Sequence, residues 1–92
     1  MGVNEERVLD LEIPGARSAV LNLTIAQTTG AGFVAIFPAD IPYPGNSSIN
    51  WSLPNSFIAN GVITKVDATG KIKIRGGDGS TDVIIDRIGY LI

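Results

Sequence analysis

Ala19-Val20-Leu21-Asn22-Leu23-Thr24-Ile25-Ala26 decides the fold. Ala19, Leu21, Leu23 and Ile25 share one parity, with Asn22 and Thr24 on the other, which is the period of a β-strand with one buried face. The run ends at the turn-forming Thr28-Thr29-Gly30-Ala31-Gly32. Working outward, the same period of two recurs almost everywhere, and no stretch sustains the i, i+3, i+4, i+7 spacing of a helix. Residues 7–13 alternate Leu9, Leu11 and Ile13 with Asp10 and Glu12 before Pro14-Gly15 stops them. Phe33 to Phe37 is apolar at both parities, which suits a central strand ended by Pro38.

Ile49, Trp51 and Leu53 alternate with Asn50 and Ser52, and Ile58, Val62 and Val66 share a parity in residues 57–66. Asp67-Ala68-Thr69-Gly70 then reads as a tight hairpin turn into Lys71-Ile72-Lys73-Ile74-Arg75, with Ile72 and Ile74 inward and the cations facing water. After a second expected hairpin turn at 76–80, Thr81 to Ile92 is almost wholly apolar. Such a strand needs cover on both faces, so it is either a central strand or an interface. The expectation is an all-β domain, an antiparallel β-sandwich of about seven strands, with a small closed β-barrel as the alternative. Its core is expected around Leu21, Leu23, Phe33, Trp51, Ile72, Ile74 and Ile85, with Phe57 filling it beside Trp51.

Ninety-two residues leave room for one domain, read as residues 7–92 preceded by a flexible polar arm over residues 1–6. Ile, Val and Thr number 13, 7 and 6, too β-branched a composition for disorder. The chain contains no His and no Cys. That removes imidazole acid–base catalysis, thiolate nucleophiles and the soft ligands of zinc, copper and haem sites, so no enzyme activity and no cofactor are expected. A net charge of −2 lacks the Lys/Arg stripe that phosphate backbones require, which argues against nucleic acid. No apolar run reaches the ~20 residues of a membrane helix.

Gly76-Gly77-Asp78-Gly79-Ser80-Thr81-Asp82 places carboxylates and glycines close together, yet it has neither the carboxylate count of a calcium loop nor the Gly-Lys-Ser/Thr of a phosphate loop. The Pro-rich stretch Pro38–Ser48 is a stiff loop on which Ile41 and Tyr43 stand as apolar anchors, either for docking or as a lid on the core. Ile41, Tyr43, Asn4, Glu5 and Glu6 are therefore the candidate interface residues.

Four stretches taken in order carry a family resemblance: Ala19–Thr24; Ala31-Gly32-Phe33 leading to Phe37-Pro38-Ala39; Ser48-Ile49-Asn50-Trp51; and Gly79–Asp86 with Gly89-Tyr90. Together they resemble a domain-sized β repeat of actinobacterial cell-surface and secreted proteins and of virion proteins of their phages. The sequence departs from that pattern where many members begin Arg-x-x-Asp-Thr-Arg, having Arg7-Val8-Leu9-Asp10-Leu11-Glu12 instead. The resemblance implies an accessory or structural module without catalytic residues. The opening Met-Gly-Val-Asn-Glu-Glu lacks the pattern of an export signal. The expectation is therefore a phage virion protein such as a capsid decoration protein, made in the host cytoplasm. Its expected partners are a major capsid or other virion protein and copies of itself. The alternative is a secreted or cell-surface, wall-associated binding domain whose signal has been removed.

Overall fold

In the computed structural model, which describes residues 1–92, the chain forms seven strands and no helix. They are β1 (Glu6–Asp10), β2 (Ser18–Ala26), β3 (Gly32–Pro38), β4 (Ile49–Trp51), β5 (Ile58–Lys65), β6 (Lys71–Gly76) and β7 (Asp82–Leu91). Every pairing is antiparallel. A four-stranded sheet runs β1-β6-β3-β4 and a three-stranded sheet runs β5-β2-β7. The two sheets are open, so the architecture is the sandwich and not the barrel.

Parity decides what lies between the sheets. From β2 come Ala19, Leu21, Leu23 and Ile25, all fully buried, and from β6 and β3 come Ile72, Ile74, Val34 and Ile36. Ile49 and Trp51 close one end of this core and Ile13 and Ala16 belong to the same cluster. Ile85 packs against it from β7 while partly buried. Phe33 lies outside it, because the odd-numbered residues of β3 point away from the partner sheet. Phe57 is also excluded and stands 74% exposed just before β5.

The turns correct a second expectation. Asp67–Gly70 does form a tight turn: the Gly70 N–H donates to the Asp67 carbonyl at 3.0 Å, and Asp67 Oδ1 accepts from the N–H groups of Thr69 and Lys71. These donors, with the Thr69 hydroxyl, hold the Asp67 carboxyl below the usual carboxylate range. Yet β5 and β6 do not pair, because they belong to different sheets. The turn is a corner between layers, as is the glycine-rich turn between β6 and β7. A polar, glycine-closed reversal serves either geometry, since both require only that the chain double back. Gly70 is required at the corner: its φ is +83°, and a Cβ there would lie 2.8 Å from the backbone of Ile13.

β7 is the third correction. It lies at the edge of its sheet and pairs only with β2. A register shift between Val20 and Leu21 leaves Ile88 as the extra residue of a bulge, which bends an otherwise long free edge. Arg87 reaches across to donate to the Leu11 carbonyl, in the connection between β1 and β2.

Leu23→Ala should cost about 2–5 kcal/mol in urea denaturation, because the side chain is fully enclosed. Ile63→Ala, at a residue 72% exposed on the outer side of β5, should change the stability of the dilute protein by no more than about 0.5 kcal/mol.

Candidate interaction surface

The middle of the outer face of the four-stranded sheet is covered by the chain itself, while β1 leaves Val8 exposed at its edge. Phe33, Ala35 and Phe37 of β3 point outward there beside Lys71, Lys73 and Arg75 of β6. The loop 39–48 folds back over them. Its Tyr43 ring stacks on Phe33 with centroids 6.3 Å apart and tilts against Phe37 at 5.7 Å, while the Arg75 guanidinium lies 4.9 Å from the Tyr43 centroid. Hydrogen bonds fasten the loop: Tyr43 OH donates to the Asn46 carbonyl at 2.7 Å, Asn46 Nδ2 to Ile36 O at 3.1 Å, and the Ile36 N–H to Ser48 Oγ at 3.0 Å. Tyr43 is thus a lid residue, half-buried. Ile41 sits on the same loop, more exposed, at the rim of an open cleft of about 540 Å³ that runs between Pro38 and Val62.

The N-terminal residues do not form a free arm in this structure. The Met1 ammonium donates to Thr81 O at 2.7 Å, and the Thr81 N–H donates back to Met1 O at 3.1 Å. The Asn4 N–H reaches Gly77 O, and the Gly76 N–H reaches Glu5 O at 2.8 Å. The Met1 side chain packs against the core beside Leu9, Val83 and Ile85. One apolar residue at the start suffices to dock a segment whose remainder is polar. Glu5 accepts from Arg7 Nε and from the Gly2 N–H, and these contacts lower its pKa to about 2. Glu6 lies in β1 and pairs with Arg75 at 2.6 Å. Of the five candidate interface residues, Glu6 and Tyr43 meet through Arg75, which bonds the Glu6 carboxylate at 2.6 Å and lies 4.9 Å from the Tyr43 centroid, whereas Ile41 stands at the rim of the lid loop and the main chain of Asn4 and Glu5 is held by residues 76 and 77.

The glycine-rich turn is a packing device. A Cβ at Gly77 would meet the Phe33 ring at 2.3 Å, and one at Gly79 would meet Thr29 O at 2.3 Å and the Trp51 ring at 3.2 Å. Ser80 Oγ and Thr29 Oγ1 bond at 2.8 Å across the turn. No three potential metal-ligating side chains come together in the structure. Trp51 is buried, as the alternation of its strand implies.

The surface that the sequence reading did not pick out is the outer face of the three-stranded sheet. The residues of β2 with parity opposite to the core are Ser18, Val20, Asn22, Thr24 and Ala26, of which Thr24 is buried and the other four half-buried. Their neighbours include Ile63 on one side and Ile84 on the other, 72% and 53% exposed, and the bulge residue Ile88 is 68% exposed. Three strands of eight to ten residues span a footprint of roughly 400 Å². The isoleucines stand within this footprint around Val20 and Ala59, while Lys65, Asp82 and Asp86 put charge at its margins. The sequence did carry a signal, namely apolar residues at both parities of 57–65 and 82–91.

No family model, curated protein or solved structure matches the chain.

Tyr43→Asp should lower the melting temperature, because it removes both ring contacts and the cation–π partner of Arg75. Ile41→Asp should leave it nearly unchanged, and calorimetry of the two variants checks the contrast. Acid titration tests Glu5. Its pKa is depressed in the folded protein, so its contribution to stability is complete above pH about 4.5 and is lost as the pH falls towards about 2. Across that window the melting temperature of Glu5→Gln should fall less steeply than that of the unsubstituted protein.

Proposed function

We propose that the protein is a non-enzymatic structural and interaction module, a phage virion protein such as a capsid decoration protein. The observation that carries the interaction reading is the uncovered outer face of the β5-β2-β7 sheet, where isoleucines stand in solvent on a rigid antiparallel scaffold. Apolar side chains held by a sheet lose little conformational entropy on docking, so a partner gains their burial at low ordering cost.

The composition supports the same reading. Without His or Cys, the chain lacks the side chains that most often serve as general base or soft metal ligand. The resemblance of four ordered stretches to a β repeat of actinobacterial surface proteins and phage virions supports the virion as the setting. Its partners are a major capsid or other virion protein and further copies of itself. Repetition on a symmetric particle converts a weak contact into firm attachment through avidity.

Purified protein mixed with capsids or tails of an actinobacterial phage should co-sediment with them, in an amount that saturates at a fixed ratio to the particle. Sedimentation with cell-wall polysaccharide and not with particles would replace this reading with the wall-associated binding domain.

A further inference from the structure

We infer that the uncovered face of the β5-β2-β7 sheet is a self-association surface, on which a second copy of the chain packs face to face about a two-fold axis running along β2. This rests on the interaction-module reading and names the partner at that face.

The register supplies the argument. Across β2, Ile63 of β5 and Gly89 of β7 are the two neighbours of Val20, and Ala59 and Ile84 are the two neighbours of Thr24. Each of these rows has a bulky residue at one end and a small one at the other, and the bulky end changes sides between the rows. A two-fold axis along β2 exchanges the ends of every row between copies. It sets Ile63 of one copy over Gly89 of the other, and Ile84 over Ala59. The ridges of each face then enter the recesses of its twin, which is the self-complementarity an isologous interface requires.

Charge selects this axis over its rival. In the row between, Asn22 has Gly61 and Asp86 as neighbours. A two-fold axis across the strands also matches large to small, but it places Asp86 directly on Asp86 of the other copy. The axis along β2 places Asp86 over Gly61, at the margin of the interface where water still reaches the carboxylate. Asn22 lies on the axis and meets its own counterpart. A carboxamide carries both donors and an acceptor, so two of them can satisfy one another.

The area is of the right order. The ~400 Å² footprint is about half of the ~800 Å² that each partner contributes to a standard interface, the size of a weak dimer that forms only at high concentration. The product is a four-layer sandwich in which both inner sheets are covered on both faces, the condition that the apolar β7 demands.

Sedimentation equilibrium from low to several hundred micromolar should show the mass rising from 9.7 kDa towards twice that value. Ile63→Asp should weaken association by about tenfold or more, since it removes the apolar ridge that enters the recess at Gly89 and adds a second carboxylate to each face beside Asp86. Ala59→Arg, which fills the recess opposite Ile84, should do the same, and circular dichroism verifies that each variant is folded. Val20→Cys should be joined into a covalent dimer by a short bis-maleimide, because Val20 faces its own counterpart across the axis. Val8→Cys, at an exposed position on β1, should remain monomeric under the same treatment. A wild-type protein that stays monomeric throughout, or a dimer indifferent to both Ile63→Asp and Ala59→Arg, overturns the inference. A monomer that still co-sediments with phage particles leaves the proposed function standing without it. A dimer that ignores them does the reverse.

Discussion

Two sheets have four faces, and packing them together hides only two. Everything else in this protein follows from how the remaining two are treated. The hidden pair is dominated by β2, whose Ala19, Leu21, Leu23 and Ile25 are enclosed without residual exposure. Of the outer pair, the β3 and β6 part of the four-stranded sheet's face is covered by the Pro-rich loop with Tyr43 clamped between Phe33, Phe37 and Arg75. The chain has no second loop of that length, and the face of the three-stranded sheet is left to solvent. A small domain has a high ratio of surface to volume and no disulfide here to compensate, so an uncovered apolar face is a large fraction of what it has to bury.

The connections enforce cooperation between the layers. Only β3 and β4 are consecutive strands of one sheet; every other connection passes from one sheet to the other. Neither sheet is therefore assembled from local hairpins, and the first pairing of β2 already requires β5 or β7, far along the chain. The corners are correspondingly specified. Asp67 collects the N–H groups of its own turn, Gly70 passes against the backbone of Ile13, and the glycines of 76–79 allow their loop to lie on Phe33 and Trp51. A side chain at any of these glycines would meet a neighbouring segment closer than van der Waals contact allows.

Most of this architecture was legible in the sequence, because strand parity is a local property. The inward sets of β2 and β6 are those that alternation assigns, and the lid role of Tyr43 was one of two readings of its loop. What alternation does not record is which strands are neighbours. The corner at 67–70 has the chemistry of a hairpin, and nothing in the residues themselves says that the strands on either side belong to different sheets. The same gap affected β7. Its apolar character at both parities fits a covered central strand or an interface, and its position at the sheet edge rules out the first. Phe33 and Phe57 were misassigned to the core for a related reason: their parity relative to β2 is set by the sheet each strand joins. The polar opening residues concealed their docking because it depends on main-chain hydrogen bonds to residues 76, 77 and 81, which side-chain character does not reveal.

The central claim is that the chain covers one outer face itself and leaves the other for a second copy. Methyl NMR with a soluble paramagnetic probe addresses both halves in one sample. In dilute protein the account predicts strong broadening of the methyl groups of Ile63, Ile84 and Ile88 and none of those of Ile25, Ile36 and Ile72. As the concentration rises, Ile63 and Ile84 should recover their signals. Protection of Ile63 and Ile84 even at high dilution would mean that the chain covers this face itself, and their undiminished broadening at every concentration would mean that no second copy does.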